Sequence, residues 1–218
     1  FDVSDFPDQQ LFDQAAHVWQ PLNDLKGYMD AYKYPKYDNV YIRNGIPLTE
    51  HIVLHKGQTL DFNDLEITYG DVTKGGLQVK RGKMLLEGAS VIMAGAVLVG
   101  NKIAFGKGVL VESGAMIKSP AIIGDMSEIR QGAYLRGYCL AGKRCVLGHT
   151  TEIKHTILLN DAKAGHFAYL GDSILGNAVN LGAGTKLANL KFLPGNVTVF
   201  LQNTRIDTGR RKLGAIMG

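Results

Sequence analysis

The sequence predicts a mainly β protein, a parallel β-helix of hexapeptide repeats with an N-terminal helical cap. Three observations predict it: apolar anchors every six residues, small or β-branched residues two places before many of them, and glycine directly after. Every sixth residue from Met93 gives Val99, Phe105, Val111, Ile117, Ile123, Ile129, Leu135, Ala141, Leu147, Ile153 and Leu159, all apolar. Val97, Val109, Ala115, Ala121, Ser127, Ala133, Cys139, Cys145 and Thr151 stand two places ahead of anchors, and Gly100, Gly106, Gly124, Gly142 and Gly148 follow them. A helix of period 3.6 does not keep a six-residue anchor on one face over this length, and plain β alternation does not place a Gly after it. A solenoid does, because short strands joined by tight corners stack equivalent positions from coil to coil.

Composition agrees with a turn-rich single unit. At 218 residues and 45% hydrophobic, the chain can bury its own core as one domain, or one domain plus a small appendage. Its 27 glycines against 6 prolines point to many backbone corners rather than a linker. The net charge is +4, but Lys and Arg are scattered instead of forming a stripe with interleaved aromatics. That pattern argues against nucleic acid and for small anionic ligands. Cys139 and Cys145 lie in no CxxC, so neither a disulfide framework nor a cysteine zinc site is expected. Both read as small packing residues inside the coil, and the setting as reducing and cytoplasmic. "GASVIMAGAVLVG" is too short to span a bilayer, and no membrane partner is expected.

In chain order, residues 1–84 form a helical and irregular strand segment, and 85–218 the repeat domain. Residues 10–33 place Leu11, Ala15, Val18, Trp19, Leu22, Leu25 and Met29 at helical spacing, with Pro21 opening a second helix. From Asn39 to about Leu86, pieces such as "EHIVLH" and "DLEITYG" look like strands without hexad phase, either an irregular early coil or a linker domain. After Leu159 the sixfold register fails through "NDAKAGHFAY" and resumes with Leu175, Leu181 and Leu187. The expectation is a loop thrown out of the prism, carrying His166 outside the core, where solenoids commonly place binding and chemistry.

Arg136, Glu152, Lys154, His166, Tyr169, Asn180 and Asn189 fall on consecutive coils and can converge on one edge. A basic pair beside a neutral His suits gripping a phosphate while a base removes a proton from a neighbouring amine or hydroxyl. "GRRK" at 209–212 reads as a solvated turn or a diphosphate contact. His149 and His155 are six apart but do not match the histidine spacing of hexapeptide-repeat carbonic anhydrases, so no metal is expected.

The stretch "EIKHTILLNDAKAGHFAYLGDSILGNAVNLGAGTKLAN" resembles the acetyltransferase domain of the bifunctional glucosamine-1-phosphate N-acetyltransferase and N-acetylglucosamine-1-phosphate uridylyltransferase family, including its archaeal-type sugar-1-phosphate relatives. The likeness covers about residues 85–218 and rests on "KAGH..YLGD" and "N.GAGT..AN", in order and at family-like spacing. It implies a left-handed parallel β-helix, an exception to the usual right-handed crossover, assembled as a homotrimer with acetyl-CoA between neighbouring coils. It also implies that His166 is the general base, that Glu152 and Asn189 orient or polarise the site, and that Arg136 and Lys154 hold a sugar phosphate. Tyr169 and Asn180 would meet phosphate and sugar hydroxyls, and Lys212 would complete the phosphate grip. Ala183 would lie by the thioester, where a backbone N–H can assist the oxyanion. The implied reaction is acetyl transfer from acetyl-CoA to the amine of an aminosugar 1-phosphate such as glucosamine-1-phosphate; the competing expectation is a catalytically silent trimeric scaffold. Uridylyltransferase activity is not expected, since no Gly-rich nucleotide signature occurs and residues 1–84 are too short for that half. The family pattern also runs on into later coils that complete the CoA channel, whereas the repeat here reaches Gly218 on an incomplete coil.

Overall fold

Short strands separated by tight corners can bury their apolar residues only by stacking, and the computed structural model shows them stacked into a three-faced prism. It describes residues 1–37 and 41–218; the Asn39 end of the unphased segment lies outside them. The first face stacks Ser90–Ile92, Leu110–Val111, Glu128–Ile129, Val146–His149, Lys163–His166 and Asn180–Leu181. The second stacks Val97–Val99, Met116–Lys118, Tyr134–Arg136, Glu152–Lys154, Tyr169–Gly171 and Lys186–Leu187. The third stacks Ile103–Phe105, Ala121–Ile123, Cys139–Ala141, Thr156–Leu158, Ile174–Leu175 and Ile216–Met217. The chain visits the faces in that order over about five turns, neighbouring strands parallel.

Anchors from Phe105 to Ile153 stack inward as the spacing predicts: Ile117 on Leu135 on Ile153, and Ile123 on Ala141. Ser127 and Thr151 occupy small inward positions because their hydroxyls donate to the Gly142 and Ala164 carbonyls, at 2.9 and 3.2 Å. Cys139 and Cys145 are fully buried in the same stack, and burial pushes each thiol up to about 12. Gly124 has a steric reason: a Cβ there would come within 2.5 Å of the Gly142 backbone on the next coil.

Three anchors are displaced by one residue. Ile92 and Leu98, not Met93 and Val99, pair with Val111 and Ile117, and Leu158, not Leu159, stacks on Ala141. The corner between Leu98 and Phe105 carries an extra residue, whereas the corners after Ile153 and Leu170 each carry one fewer. Those short corners turn at His155 and Asp172, both at positive φ.

The register failure therefore does not mark an ejected loop. Lys163–His166 is a strand hydrogen-bonded on both sides, to Val146–His149 and Asn180–Leu181. His166 is exposed because it ends that strand at the corner formed by Phe167 and Ala168. The excursion from the prism comes later, at residues 188–215, between Lys186–Leu187 and Ile216–Met217. It carries an antiparallel hairpin, Thr198–Leu201 with Thr204–Asp207, turned by Gln202 and Asn203 at positive φ. Phe192, Leu193, Phe200 and Leu201 project from it into solvent.

The expected N-terminal helix runs from Gln20 to Ala31 with Pro21 in its first turn; residues ahead of it form only a 3-10 turn, Gln9–Leu11, and bends. It lies along the side of the prism rather than over its end. Phe6, Leu11, Leu22, Leu25 and Met29 pack on the outward residues Ala104, Ile122, Leu140, Ile157 and Ile174 of the third face. Full burial stabilises such side chains by about 1.5–3 kcal/mol each. Lys102 to Asp30 and Lys143 to Asp5 pin the edges at 2.9 and 2.7 Å.

The end of the prism is closed by other residues: Leu48 and Ile52, with Tyr41 and Ile42, cover Ile92 and Leu98. There Ile52–His55 joins the first face antiparallel to Ser90–Ile92. A small antiparallel sheet, Leu65–Thr68, Gln78–Arg81 and Met84–Leu85, packs Leu65 and Val79 against the outward side chains of Val91 and Leu110.

Candidate active site

Beyond that small sheet the first face is open, and its outward positions form a groove of about 570 Å³. One row, Glu128, Val146, Lys163 and Asn180, is in register across four coils. Beside it Gly165 and Gly182 floor the groove: a Cβ on Gly165 would meet only Arg130 Nη1, at 3.9 Å, and one on Gly182 would meet nothing within 4 Å. His166 and Ala183 edge the floor, and Asp71 and Thr73, from the turn after Leu65–Thr68, line it as well. Lys163, His166 and Asn180 make no side-chain hydrogen bond or ion pair among the described residues. Three polar groups thus face one groove without a hydrogen-bonding partner among the described residues.

The sequence-predicted residues fall on both sides of the Phe167 corner. His166, Asn180 and Ala183 share the first-face groove. Arg136, Glu152, Lys154 and Tyr169 lie on the second face, where Tyr134, Glu152, Tyr169 and Lys186 form one outward row. Arg136 donates to Glu152 at 2.5 Å, and that carboxylate raises the guanidinium's pKa further. Lys154, in the adjoining row, makes no ion pair among the described residues.

Asn189 and Lys212 belong to the root of the excursion. Asn189 accepts from the Tyr169 hydroxyl at 3.4 Å and donates to Asp172 at 2.6 Å. Asp172 also receives Arg210 at 2.7 Å, with both side chains about a tenth exposed, and lies 3.3 Å from His155 Nδ1. Burial first, then the Arg210 charge, pull the His155 pKa below its usual value against the opposing Asp172 carboxylate; burial likewise lowers that of Arg210. Arg210 reaches Asn23 on the N-terminal helix at 3.0 Å. Lys212 pairs by backbone with Leu190 and lines a shallow pocket with Asn23 and Arg211, apart from the groove.

Sequence reasoning left Lys163, Arg130 and Glu128 out of the site, although Lys163 stands three places before His166 in the same block. The signal lay in alternation: strand positions 163 and 165 face the same side as 180 and 182. His149 sits directly beneath His166 in the ladder, its Nδ1 2.9 Å from the Gln131 carbonyl. No group of three or more His, Cys, Asp or Glu side chains is placed to hold a metal among the described residues. A larger cavity, about 780 Å³, lies towards the closed end between Tyr37, Ile42 and Lys102 and contains none of the site residues. No described helix is long and apolar enough to cross a membrane.

Hexapeptide coils around an apolar core, with a polar groove at one corner, fit the left-handed β-helix of acetyltransferase domains. The comparisons then give the particular homologues. The chain is 41% identical over 86 residues to a bifunctional sugar-1-phosphate nucleotidylyltransferase/acetyltransferase of Sulfurisphaera tokodaii, a match covering 39% of this chain and 21% of that protein. It is 38% identical over 86 residues to the bifunctional protein GlmU of Methanocaldococcus jannaschii, with the same two shares. Against GlmU of Thermodesulfovibrio yellowstonii it is 37% identical over 82 residues, 38% of this chain and 18% of that one. The matched segment thus spans about a fifth of these relatives' length. No family model matches the chain.

Proposed function

We propose that this chain transfers an acetyl group from acetyl-CoA to the amine of an aminosugar 1-phosphate such as glucosamine-1-phosphate, as a cytoplasmic homotrimer. The observation that carries the reading is His166 at the corner of an open groove, its ring without a polar partner among the described residues, inside the block that resembles the acetyltransferase domain of that family. His166 takes the proton from the sugar amine as the nitrogen attacks the thioester carbonyl; the C–N bond forms, the C–S bond breaks, and CoA leaves as the thiol. The backbone near Ala183 supplies an N–H to the developing oxyanion, and the bare floor at Gly165 and Gly182 admits a narrow acyl arm. Lys154 and Arg136 hold the sugar phosphate, with Tyr169, Asn180 and Lys212 on its oxygens and hydroxyls, while Glu152 and Asn189 orient the site.

The split of these residues between two faces supports assembly. With the third face covered by the N-terminal segment, the first face of one copy is free to lie against the second face of the next. His166 then meets the partner subunit's phosphate grip across a threefold ring.

Release of free CoA, followed with a thiol reagent in the presence of acetyl-CoA and glucosamine-1-phosphate, tests the reaction. Light scattering tests the ring, which a concentration-independent monomer would exclude. A trimer that releases no CoA with any aminosugar phosphate would favour the silent scaffold instead.

A further inference from the structure

Phe167 stands at a corner where folding alone favours glycine. The chain passes from the first face to the second on six coils, and the residue at the turn has a positive φ each time: Gly95, Gly114, Gly132, Thr150, Phe167 and Gly184. Glycine enters that conformation without a Cβ penalty, whereas a bulky side chain is strained there. Tyr138, also at positive φ, has a packing reason: it lies against the cluster under the N-terminal helix and donates to Asp30 at 3.3 Å. Phe167 has none, for it joins none of the three buried clusters among the described residues and is 50% exposed. Its position is held all the same. The backbone N–H donates to the His149 carbonyl at 2.9 Å, and Lys186 Nζ donates to the Phe167 carbonyl. The His149 ring packs against it in a T, centroids 5.2 Å apart at 80°. His149 is itself fixed through its two ring nitrogens, 2.9 Å from the Gln131 carbonyl and 3.2 Å from the Thr150 hydroxyl. A strained aromatic, held in place yet left in solvent, points to a ligand rather than to stability.

We propose that Phe167 is the platform for the acceptor's sugar ring, its face lying against the C–H face of the pyranose. This deepens the acetyl-transfer reading, on which the position of the amine at His166 rests. The His166 and Phe167 ring centroids are 6.5 Å apart. An amine within hydrogen-bond reach of the imidazole, about 3 Å, brings the pyranose that bears it to Phe167. The phenyl ring is not part of the groove lining, so the sugar leaves the glycine floor to the acyl arm. A pyranose carries C–H groups on its faces and hydroxyls around its rim. Stacking one face on an apolar ring releases water there, while the rim stays open to polar partners.

Steady-state kinetics with glucosamine-1-phosphate, and calorimetric titration with its N-acetylated product, test the platform in the whole chain. Phe167→Gly is expected to raise KM and weaken product binding about 3- to 30-fold, the range for one aromatic contact and its buried apolar area. Its kcat should stay within about twofold of wild type, because the stack is alike in ground and transition states. Its melting temperature should be no lower than wild type, since glycine suits the left-handed corner. Phe167→Tyr should keep the wild-type KM and Phe167→Leu should not, which separates a flat ring from mere apolar bulk. Wild-type protein that binds no sugar phosphate, or Phe167→Gly with unchanged KM and product affinity, overturns the platform. So does a Phe167→Gly variant that melts lower and dissociates a wild-type trimer, which gives the ring to subunit contact. Product binding weakened by that factor, in a protein that releases no CoA with any aminosugar phosphate, sinks the acetyl-transfer reading and leaves the platform standing. CoA release with KM unaltered in Phe167→Gly does the reverse.

Discussion

Two polar clusters sit on neighbouring corners of the same coils and are built on opposite terms. Around Asp172, His155, Asn189 and Arg210, all partly buried, meet one buried carboxylate, and each finds a partner within 3.4 Å. Around His166, the side chains of Lys163 and Asn180 are partly or fully exposed and make no hydrogen bond or ion pair among the described residues. A buried charge without its partner is strongly destabilising, so a closed cluster holds structure together. An exposed polar group loses little by waiting in water, so an open cluster is free to exchange solvent for ligand. Burial and pairing, rather than residue type, separate His155, at the foot of the excursion, from His166, at the edge of the open groove.

The comparison breaks most sharply at His166. Replacing it with Ala should lower kcat by about 10²- to 10⁴-fold, the usual loss for a general base, and shift unfolding free energy by less than about 0.5 kcal/mol. Unaltered turnover would return His166 to the solvated surface. Asp172→Asn should do the opposite. The Asn keeps the left-handed backbone and the size of the side chain but leaves Arg210 buried without its counter-charge, at a cost of about 3–5 kcal/mol in urea unfolding. Loss of under about 1 kcal/mol would mean the knot is not structural. Lys154→Ala lies between the two. It should lower kcat/KM for the aminosugar phosphate about 10- to 150-fold while sparing the free aminosugar, because the phosphate is bound alike in ground and transition states. An unchanged ratio of the two substrates removes Lys154 from the grip.

The smallest effect is in pH. Burial holds the His155 pKa below its usual 6.5, so the native state keeps it neutral while the unfolded chain protonates first. The stability this supplies is present above about 6.5 and is lost as pH falls through that value towards the lowered native one. Asp172 opposes the shift, and Lys154 and Arg210 reinforce it. Urea midpoints between pH 7.5 and 5.5 should therefore fall more steeply in wild type than in His155→Gln; parallel curves would show that His155 contributes nothing to the slope.

The prism was legible because its inward positions admit only apolar or small side chains, and stacking repeats that demand on every coil. It blurred at Leu159 for a definite reason. Leu158 and Leu159 are both fully buried, one inside the prism and the other under Phe6, so apolarity alone does not tell which is the anchor. Counting by sixes then chose the residue beyond a shortened corner. The helix at Gln20–Ala31 was readable from its period, but periodicity identifies an apolar face without naming what that face meets; here it meets Ile122, Leu140 and Ile157. Of the site, the family block supplied His166 and Asn180. Lys163 and Arg130 stayed hidden because a lysine or arginine in a strand reads as an ordinary solvated residue until its neighbours prove to be bare glycine. The excursion at 188–215 escaped because its hairpin is held by Asp172–Arg210, a contact 38 residues apart that no local pattern encodes.

The sealed thiols have a practical sequel. The chain's only cysteines, Cys139 and Cys145, lie inside the prism with their thiols pushed up to about 12, so at neutral pH alkylating reagents find no reactive sulfur in the folded protein. A single thiol introduced at the hairpin tip, as in Leu201→Cys, would be a unique labelling position on a surface already in solvent. A fluorophore there would follow the excursion by itself, in native wild-type background, with no cysteine to remove first.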